Sequence, residues 1–146
     1  MSKSNTFEND LLQLIFNNVD IADIGDASGL QNSASAGSLY VAFHTADPGE
    51  AGTATTNETA YTNYARVAVA RTVGGWTVSG SSVTNAAQIS FPECGASGAT
   101  LTHFSITTAL SGASKILYKG ALSSSLAVAN LITPLFAASA LTITED

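Results

Sequence analysis

The first twenty residues carry apolar side chains at the spacing of an amphipathic helix. The apolar stripe consists of Phe7, Leu11, Leu14 and Ile15. Residues three and four apart share one face of an α-helix, so the pattern predicts one N-terminal helix within 1–20. Asn5 or Thr6 can cap it, and Asn5 and Glu8 have capping-box spacing. The stripe must then cover either the chain's own sheet or a neighbouring subunit.

From Ser38 onward the apolar and polar positions alternate with a period of two, which is typical of β-strands. Before this, residues 24–37 are rich in Gly, Ser and Ala and predict a loop. The predicted strands are 39–43, 65–71, 76–79, 83–91, 101–107, 115–122, 126–129 and 141–144. Short strands with regular turns predict a mainly β chain, a single-domain antiparallel β-sandwich or jelly roll over 38–146. With its helix, the chain is predicted to be one domain, 1–146.

A long interval without a strand pattern runs from residue 45 to residue 62 and is rich in Thr, Ala and Gly. Loops of this length inside a domain are usually functional or disordered. The interval contains Asp47, Pro48 and Gly49, which predict a turn with Asp47 as its cap and Pro48 fixing φ. This interval is therefore the main candidate for a contact loop.

Charged residues make up only 11% of the chain, and the net charge is −6. The five cations are scattered, whereas nucleic-acid binding needs Lys and Arg clustered on one face, so no nucleic-acid partner is expected. No apolar stretch approaches the roughly 18 residues of a membrane span, so no membrane partner is expected either. A polar surface with few ions loses little hydration when covered, which suits packing against copies or partners.

Residues suited to catalysis or metal binding are few. His44, His103 and Cys94 do not have metal-ligand spacing, and both histidines are expected to be hydrogen-bonded structural residues. The carboxylates of the long loop are Asp47, Glu50 and Glu58. Glycoside hydrolysis needs two carboxylates at a fixed separation, which such a loop does not readily provide. There is also no Gly-x-Ser-x-Gly elbow and no phosphate loop. We therefore predict no catalytic residue, no cofactor and no metal.

Aromatic residues are spread one or two to each predicted element, which is how a β-sandwich core is filled. Tyr61 and Tyr64, near the long loop, are the one pair that a sugar-stacking platform could use. Burial in the core or in an interface is the favoured interpretation of this pair.

Two arginines lie on the most regular predicted strand, and their spacing of five places Arg66 and Arg71 on opposite faces. For each arginine two interpretations stand equally: a solvated strand edge, or an ion-pair anchor at a subunit contact. The available ion-pair partners are Asp47, Glu50 and Glu58.

Several blocks of the chain resemble, in order, the small tail-fibre-like or head-decoration structural proteins of tailed bacteriophages. They are 39–50 (LYVAFHTADPGE), 57–58, 61, 64–69 (YARVAV), 75–76, 89–92 (ISFP), 102–104 (THF), 117–120 (LYKG) and 141–144 (LTIT), after an opening helix with Leu11 and Leu12. The resemblance covers nearly the whole chain. It implies a β-rich virion structural protein without catalytic residues.

The function predicted from these observations is that of a bacteriophage virion structural protein, not an enzyme, assembled in the host cytoplasm. It would bind other phage structural proteins, either the major capsid protein or tail and neck proteins, and form a homo-oligomer. Capsid decoration (cement) and a tail-fibre or neck subunit both fit. The alternatives are a receptor- or carbohydrate-binding tip and a polysaccharide hydrolase. The predicted contact residues are Phe7, Leu11, Leu14, Asp47, Glu50, Tyr61, Tyr64 and Arg66.

Overall fold

The computed structural model describes residues 2–26 and 28–145 and confirms the predicted fold class. The chain is mainly β, with 36% of it in strands and 9% in helix, antiparallel sheets and one N-terminal helix. The elements are α1 (Asn5–Asn17), β1 (Ser38–His44), β2 (Val67–Ala70), β3 (Trp76–Ser79), β4 (Ser82–Asn85), β5 (Ile89–Ser90), β6 (Ala99–Thr107), β7 (Ile116–Val128), β8 (Leu135–Phe136) and β9 (Thr142–Thr144).

The chain folds into two compact units, each assembled from segments that are distant in sequence. The first unit comprises residues 1–38, 69–88 and 136–146, and the second comprises 39–68 and 89–135. The chain therefore passes from one unit to the other four times. Folding of 1–146 as a single cooperative domain stays a prediction.

The N-cap of helix α1 lies at least one residue earlier than predicted. Ser4 is the N-cap, and its Oγ accepts a hydrogen bond from the backbone N–H of Phe7 at 3.3 Å. The assignment of Asn5 or Thr6 as cap was wrong, because a serine hydroxyl one position ahead already satisfies a free N–H of the first turn. The helix ends at Asn17, and Asn18 adopts the left-handed conformation (φ +57°) that closes many helices.

The side of α1 that faces the core of the first unit is not the predicted stripe. Leu12 and Phe16 are fully buried, and Glu8 on the same side is buried as well. The Phe16 and Trp76 rings meet edge to face with centroids 4.9 Å apart. Spacing alone did not identify Leu12 and Phe16 as the core-facing side, because apolar residues lie on two sides of this helix.

Strands β3, β4 and β9 form the three-stranded antiparallel sheet of the first unit. Val83 on the central strand β4 lies opposite Val78 on β3 and Ile143 on β9. The buried Trp76 begins β3, so this sheet and α1 share one apolar core.

The four-stranded sheet has the order β2-β1-β6-β7, and β6, β7 and all of β1 except Ser38 belong to the second unit. Val41 pairs with Ile106 across β1 and β6. The predicted strands 115–122 and 126–129 form one strand, β7, interrupted by a bulge: Ala121 pairs with His103, and Leu126 pairs with Leu101. Four residues of β7 thus lie opposite one residue of β6.

The predicted strand 83–91 is in fact two strands, β4 and β5. The Asn85 side chain causes the break, because its Nδ2 donates to the carbonyls of Ala87 and Ala137, both at 2.8 Å. These bonds favour a turn over a continued strand. The two-residue strand β8, which pairs with β5, was not predicted because it is too short to show a period.

Candidate functional site

The predicted contact loop, 45–62, is fixed at its base to strand β1. The backbone N–H of Thr45 donates to the Asn57 carbonyl at 2.9 Å, and that of Thr59 donates to the Phe43 carbonyl at 3.0 Å. His44 and Glu58 form an isolated antiparallel bridge between these two bonds. The two ends of the loop therefore behave as a short extension of the sheet, and the residues between them are displayed from it.

His44 is the buried anchor of this base. Its Nδ1 lies 2.9 Å from the Thr56 carbonyl, and its Nε2 lies 2.7 Å from Ser105 Oγ on β6. Nδ1 must donate to the carbonyl, so Nε2 of the neutral ring accepts from the serine hydroxyl. Burial lowers the pKa of His44, which keeps the ring neutral. The expectation of a hydrogen-bonded structural histidine is confirmed at this position.

Arg66 and Glu58 form a buried bidentate ion pair inside the second unit. Arg66 Nε lies 2.6 Å from Glu58 Oε1, and Arg66 Nη2 lies 2.7 Å from Glu58 Oε2. Their side chains are 2% and 15% exposed. The hydrogen bond to Glu58 raises the pKa of Arg66. Of the two interpretations of Arg66, the solvated edge was wrong, and Glu58 is its ion-pair partner.

The remaining donors of Arg66 hold the turn that follows β6. Nη1 donates to the Ala109 carbonyl at 2.9 Å and to Ser114 Oγ at 3.3 Å, and Nη2 donates to the Gly112 carbonyl at 2.9 Å. One guanidinium therefore connects the long loop to the turn between β6 and β7. Because Nε, Nη1 and Nη2 all donate within the chain, Arg66 holds the loop and the turn in place and has few N–H groups left for a hydrogen bond to a partner.

Tyr61 and Tyr64 pack against each other edge to face, with ring centroids 5.3 Å apart. Tyr61 is 2% exposed, its hydroxyl donates to the Pro92 carbonyl at 2.9 Å, and burial raises its pKa to about 12. The Tyr64 hydroxyl donates to Glu58 Oε1 at 3.0 Å, and burial raises its pKa as well. A sugar-stacking platform needs exposed ring faces, and the structure places Tyr61 in the core instead.

Asp47 and Glu50 occupy the outer part of the loop, where both carboxylates contact Lys119. The Lys119 Nζ lies 3.1 Å from Asp47 Oδ1 and 2.9 Å from Glu50 Oε1. Asp47 Oδ1 also accepts the N–H of Gly49 at 2.8 Å, which confirms the predicted turn. This bond and Lys119 lower the pKa of Asp47. The carboxylates of the loop are thus divided between two cations, and Asp47 is poorly suited to donate a proton at neutral pH.

Helix α1 presents a second apolar side away from the core of the first unit. Phe7 is 36% exposed, and Leu11, Leu14 and Ile15 are each partly exposed. Three of the predicted contact residues therefore share one accessible surface, which we call the outer side of α1: Phe7, Leu11 and Leu14.

Arg71 fixes the C-terminal end of α1, a role that sequence spacing did not reveal. Its Nε donates to the Ile15 carbonyl and its Nη2 to the Leu14 carbonyl, both at 2.6 Å. A guanidinium at the C-terminus of a helix satisfies free carbonyls and opposes the negative end of the dipole. The outer side of α1 is thereby held rigidly.

A cleft of about 330 Å³ opens beside the ion pair of the second unit, between Glu58, Tyr64, Arg66 and the 110–112 turn.

Within residues 2–26 and 28–145 no three His, Cys, Asp or Glu side chains come together as a metal site. In the same part of the chain, no helix combines the length and hydropathy of a membrane span.

The chain is thus a mainly β protein with a long loop fixed at its base and a helix whose second apolar side is accessible. Residues 2–144 match the protein family described as Podophage GP4 fiber I protein gp80. The chain belongs to this family and is a phage tail-fibre-like structural protein, which implies a place in the virion. No curated protein matches the chain.

Proposed function

We propose that this chain is a subunit of the phage tail fibre apparatus and that it works by binding other virion proteins. Membership of a fibre family favours a tail position over capsid decoration. The observation that carries the proposal is the outer side of α1, where Phe7, Leu11 and Leu14 remain accessible while Leu12 and Phe16 fill the core.

Covering this outer side would remove apolar surface from water, at about 25 cal/mol per Å². A helix that places its apolar side in a partner's groove is a recurrent mode of protein recognition. Arg71 keeps the end of the helix in place, so little conformational entropy is lost on binding. Self-association into a homo-oligomer belongs to the same proposal, because repeated contacts give avidity.

The outer part of the 45–62 loop is the second proposed contact. Asp47, Glu50 and Lys119 lie at its surface, and Arg66 and His44 hold the backbone beneath them. An exposed, mutually neutralised charge cluster suits the polar rim of an interface rather than its centre. The receptor- or carbohydrate-binding alternative gains no support from Tyr61, which is buried.

Assembly in infected cells tests the proposal. A phage that lacks the gene is complemented with wild-type protein or with the Phe7→Ser/Leu11→Ser/Leu14→Ser variant, and copies per purified particle are counted by quantitative mass spectrometry. We expect the variant to be folded and largely missing from particles. Val73→Ser is the matched control, since Val73 is an exposed apolar residue of the same unit at 77% exposure. Normal incorporation of the triple variant would overturn the proposal.

A further inference from the structure

A second accessible surface of the first unit lies in the 18–33 loop, of which all residues except 27 are described. Ile21 and Leu30 exchange two backbone hydrogen bonds, at 3.0 and 2.8 Å. The Asn18 side chain donates to the Ser33 carbonyl at 2.8 Å and accepts from the Ser33 N–H at 2.9 Å. The two ends of the loop are therefore tied across to each other before any partner binds.

This fixed loop exposes apolar side chains. Val19, Ile24 and Leu30 are between 37% and 48% exposed. Isolated exposed apolar residues need no explanation, but three on one hydrogen-bonded loop offer apolar side chains that a partner could cover. Sequence pattern did not indicate this surface, because residues 24–37 predicted only a polar loop.

Three carboxylates alternate with these apolar side chains: Asp20, Asp23 and Asp26. Asp20 Oδ1 accepts the Asn32 N–H at 2.6 Å, and Asp26 Oδ1 accepts the Ser28 N–H at 2.8 Å. These bonds hold Asp20 and Asp26 in place and come from backbone N–H groups, which carry no net charge.

The charge of the whole first unit has the same sign. It contains seven acidic and two basic residues, a net charge of −5, whereas the second unit has four acidic and three basic residues, a net charge of −1. The two cations of the first unit are engaged away from the loop's carboxylates. Lys3 pairs with Glu145 at 3.1 Å, and Arg71 Nε and Nη2 donate to the end of α1. Arg71 Nη1 reaches the loop only at Ser33 Oγ, at 3.5 Å, and donates to the Ala36 carbonyl at 3.2 Å, so it forms no salt bridge with Asp20, Asp23 or Asp26.

We propose that the 18–33 loop docks on a basic surface of another virion protein, with Lys and Arg surrounding an apolar centre. This inference rests on the proposed function and names the chemistry of one partner. A positively charged partner surface would complement the negative charge of this loop. At this loop, a second copy of the same unit would bring another −5 and nucleic acid would bring phosphates, so both would be repelled here, whereas self-association through the outer side of α1 is unaffected.

Neutralising the carboxylates without changing their shape tests the charge argument. In Asp20→Asn/Asp23→Asn/Asp26→Asn each side chain keeps an oxygen acceptor, and Asn tolerates the positive φ of Asp23 (+59°). We expect roughly a tenfold loss of protein bound to purified particles that lack it, measured at low salt, and a similar loss for the wild-type protein at high salt. Glu93→Gln, an exposed carboxylate of the second unit, is the control and should bind normally.

A cross-linking experiment identifies the partner protein. Cys94 is fully buried, so Ile24→Cys places one accessible thiol on the loop for a maleimide–benzophenone reagent. After binding to particles and irradiation, mass spectrometry should find cross-links to a Lys- and Arg-rich segment of a different virion protein. Cross-links to a second copy of this chain, or to an acidic segment, would overturn the inference.

The two proposals fail in distinguishable ways. If the helix variant is missing from particles while the Asp variant binds normally, the charge inference is overturned and the proposed function stands. If both variants bind as the wild-type protein does, both proposals are overturned.

Discussion

Arg66 and Glu58 lie eight residues apart and are joined by two hydrogen bonds, Nε to Oε1 at 2.6 Å and Nη2 to Oε2 at 2.7 Å. The same guanidinium reaches the carbonyls of Ala109 and Gly112, each at 2.9 Å. This pair connects the long loop to the turn between β6 and β7. We expect this charge pair to hold the long surface loop in one conformation.

Removing one member of this pair should destabilise the protein strongly. Glu58→Gln leaves the buried Arg66 without its counter-charge, so we expect the free energy of unfolding in urea to fall by about 3 kcal/mol. Glu50→Gln, an almost fully exposed carboxylate, should change it by less than about 0.5 kcal/mol. Equal stability of the two variants would show that the pair does not hold the loop.

Because His44 is buried, we expect the protein to lose stability in mild acid. Burial lowers its pKa, so the unfolded chain takes up this proton at a higher pH than the folded chain does. The free energy of unfolding should therefore fall as the pH drops below about 6.5, with no contribution from His44 above that value. Asp47, whose pKa is also lowered, contributes in the same direction only below about pH 4.

Urea unfolding between about pH 7.5 and pH 5 checks this prediction, and NMR titration of the His44 ring reports its pKa directly. A His44 pKa above about 6.5 would mean that the ring is not held neutral by burial.

Gly29 sets the geometry of the 18–33 loop. A Cβ at this position would lie 1.9 Å from the Ile21 carbonyl oxygen, at a φ of +63°. Gly29→Ala should break the hydrogen bonds between Ile21 and Leu30 and speed amide exchange at both residues. Gly25→Ala is the control: its φ is +83°, but the space around its Cβ is open, so we expect only about 1 kcal/mol of local strain. Unchanged exchange in Gly29→Ala would contradict the described loop.

The β class and most strands were predictable from the sequence. Alternate residues of a strand face the core and must be apolar, so the strands show as a period of two. The long interval without strands and the Asp47 turn were predictable for similar local reasons. The sequence pattern failed where a hydrogen bond to a residue distant in the sequence determines the local structure. The bond from Asn85 to the Ala137 carbonyl interrupts a predicted strand, and the bond from Arg66 to Glu58 buries an arginine that the pattern left unassigned. The core-facing side of α1 was also missed, since only Trp76 and its neighbours reveal that Phe16 packs inward.

The connectivity of the two units predicts how the protein unfolds. The chain passes between them four times, and the segments 39–68, 69–88 and 89–135 each continue into the other unit at both ends. Unfolding of one unit would therefore release the ends of segments that belong to the other. We expect a single calorimetric transition whose van't Hoff and calorimetric enthalpies agree. Two separated transitions would contradict folding of 1–146 as one domain.

Cryo-electron microscopy of the intact particle tests the central claim most directly, since it shows where the copies lie and what each surface touches. We expect copies at the tail, with Phe7, Leu11 and Leu14 of α1 covered by another virion protein. Copies whose helix faces solvent on this side, with the particle contact made elsewhere, would contradict the account.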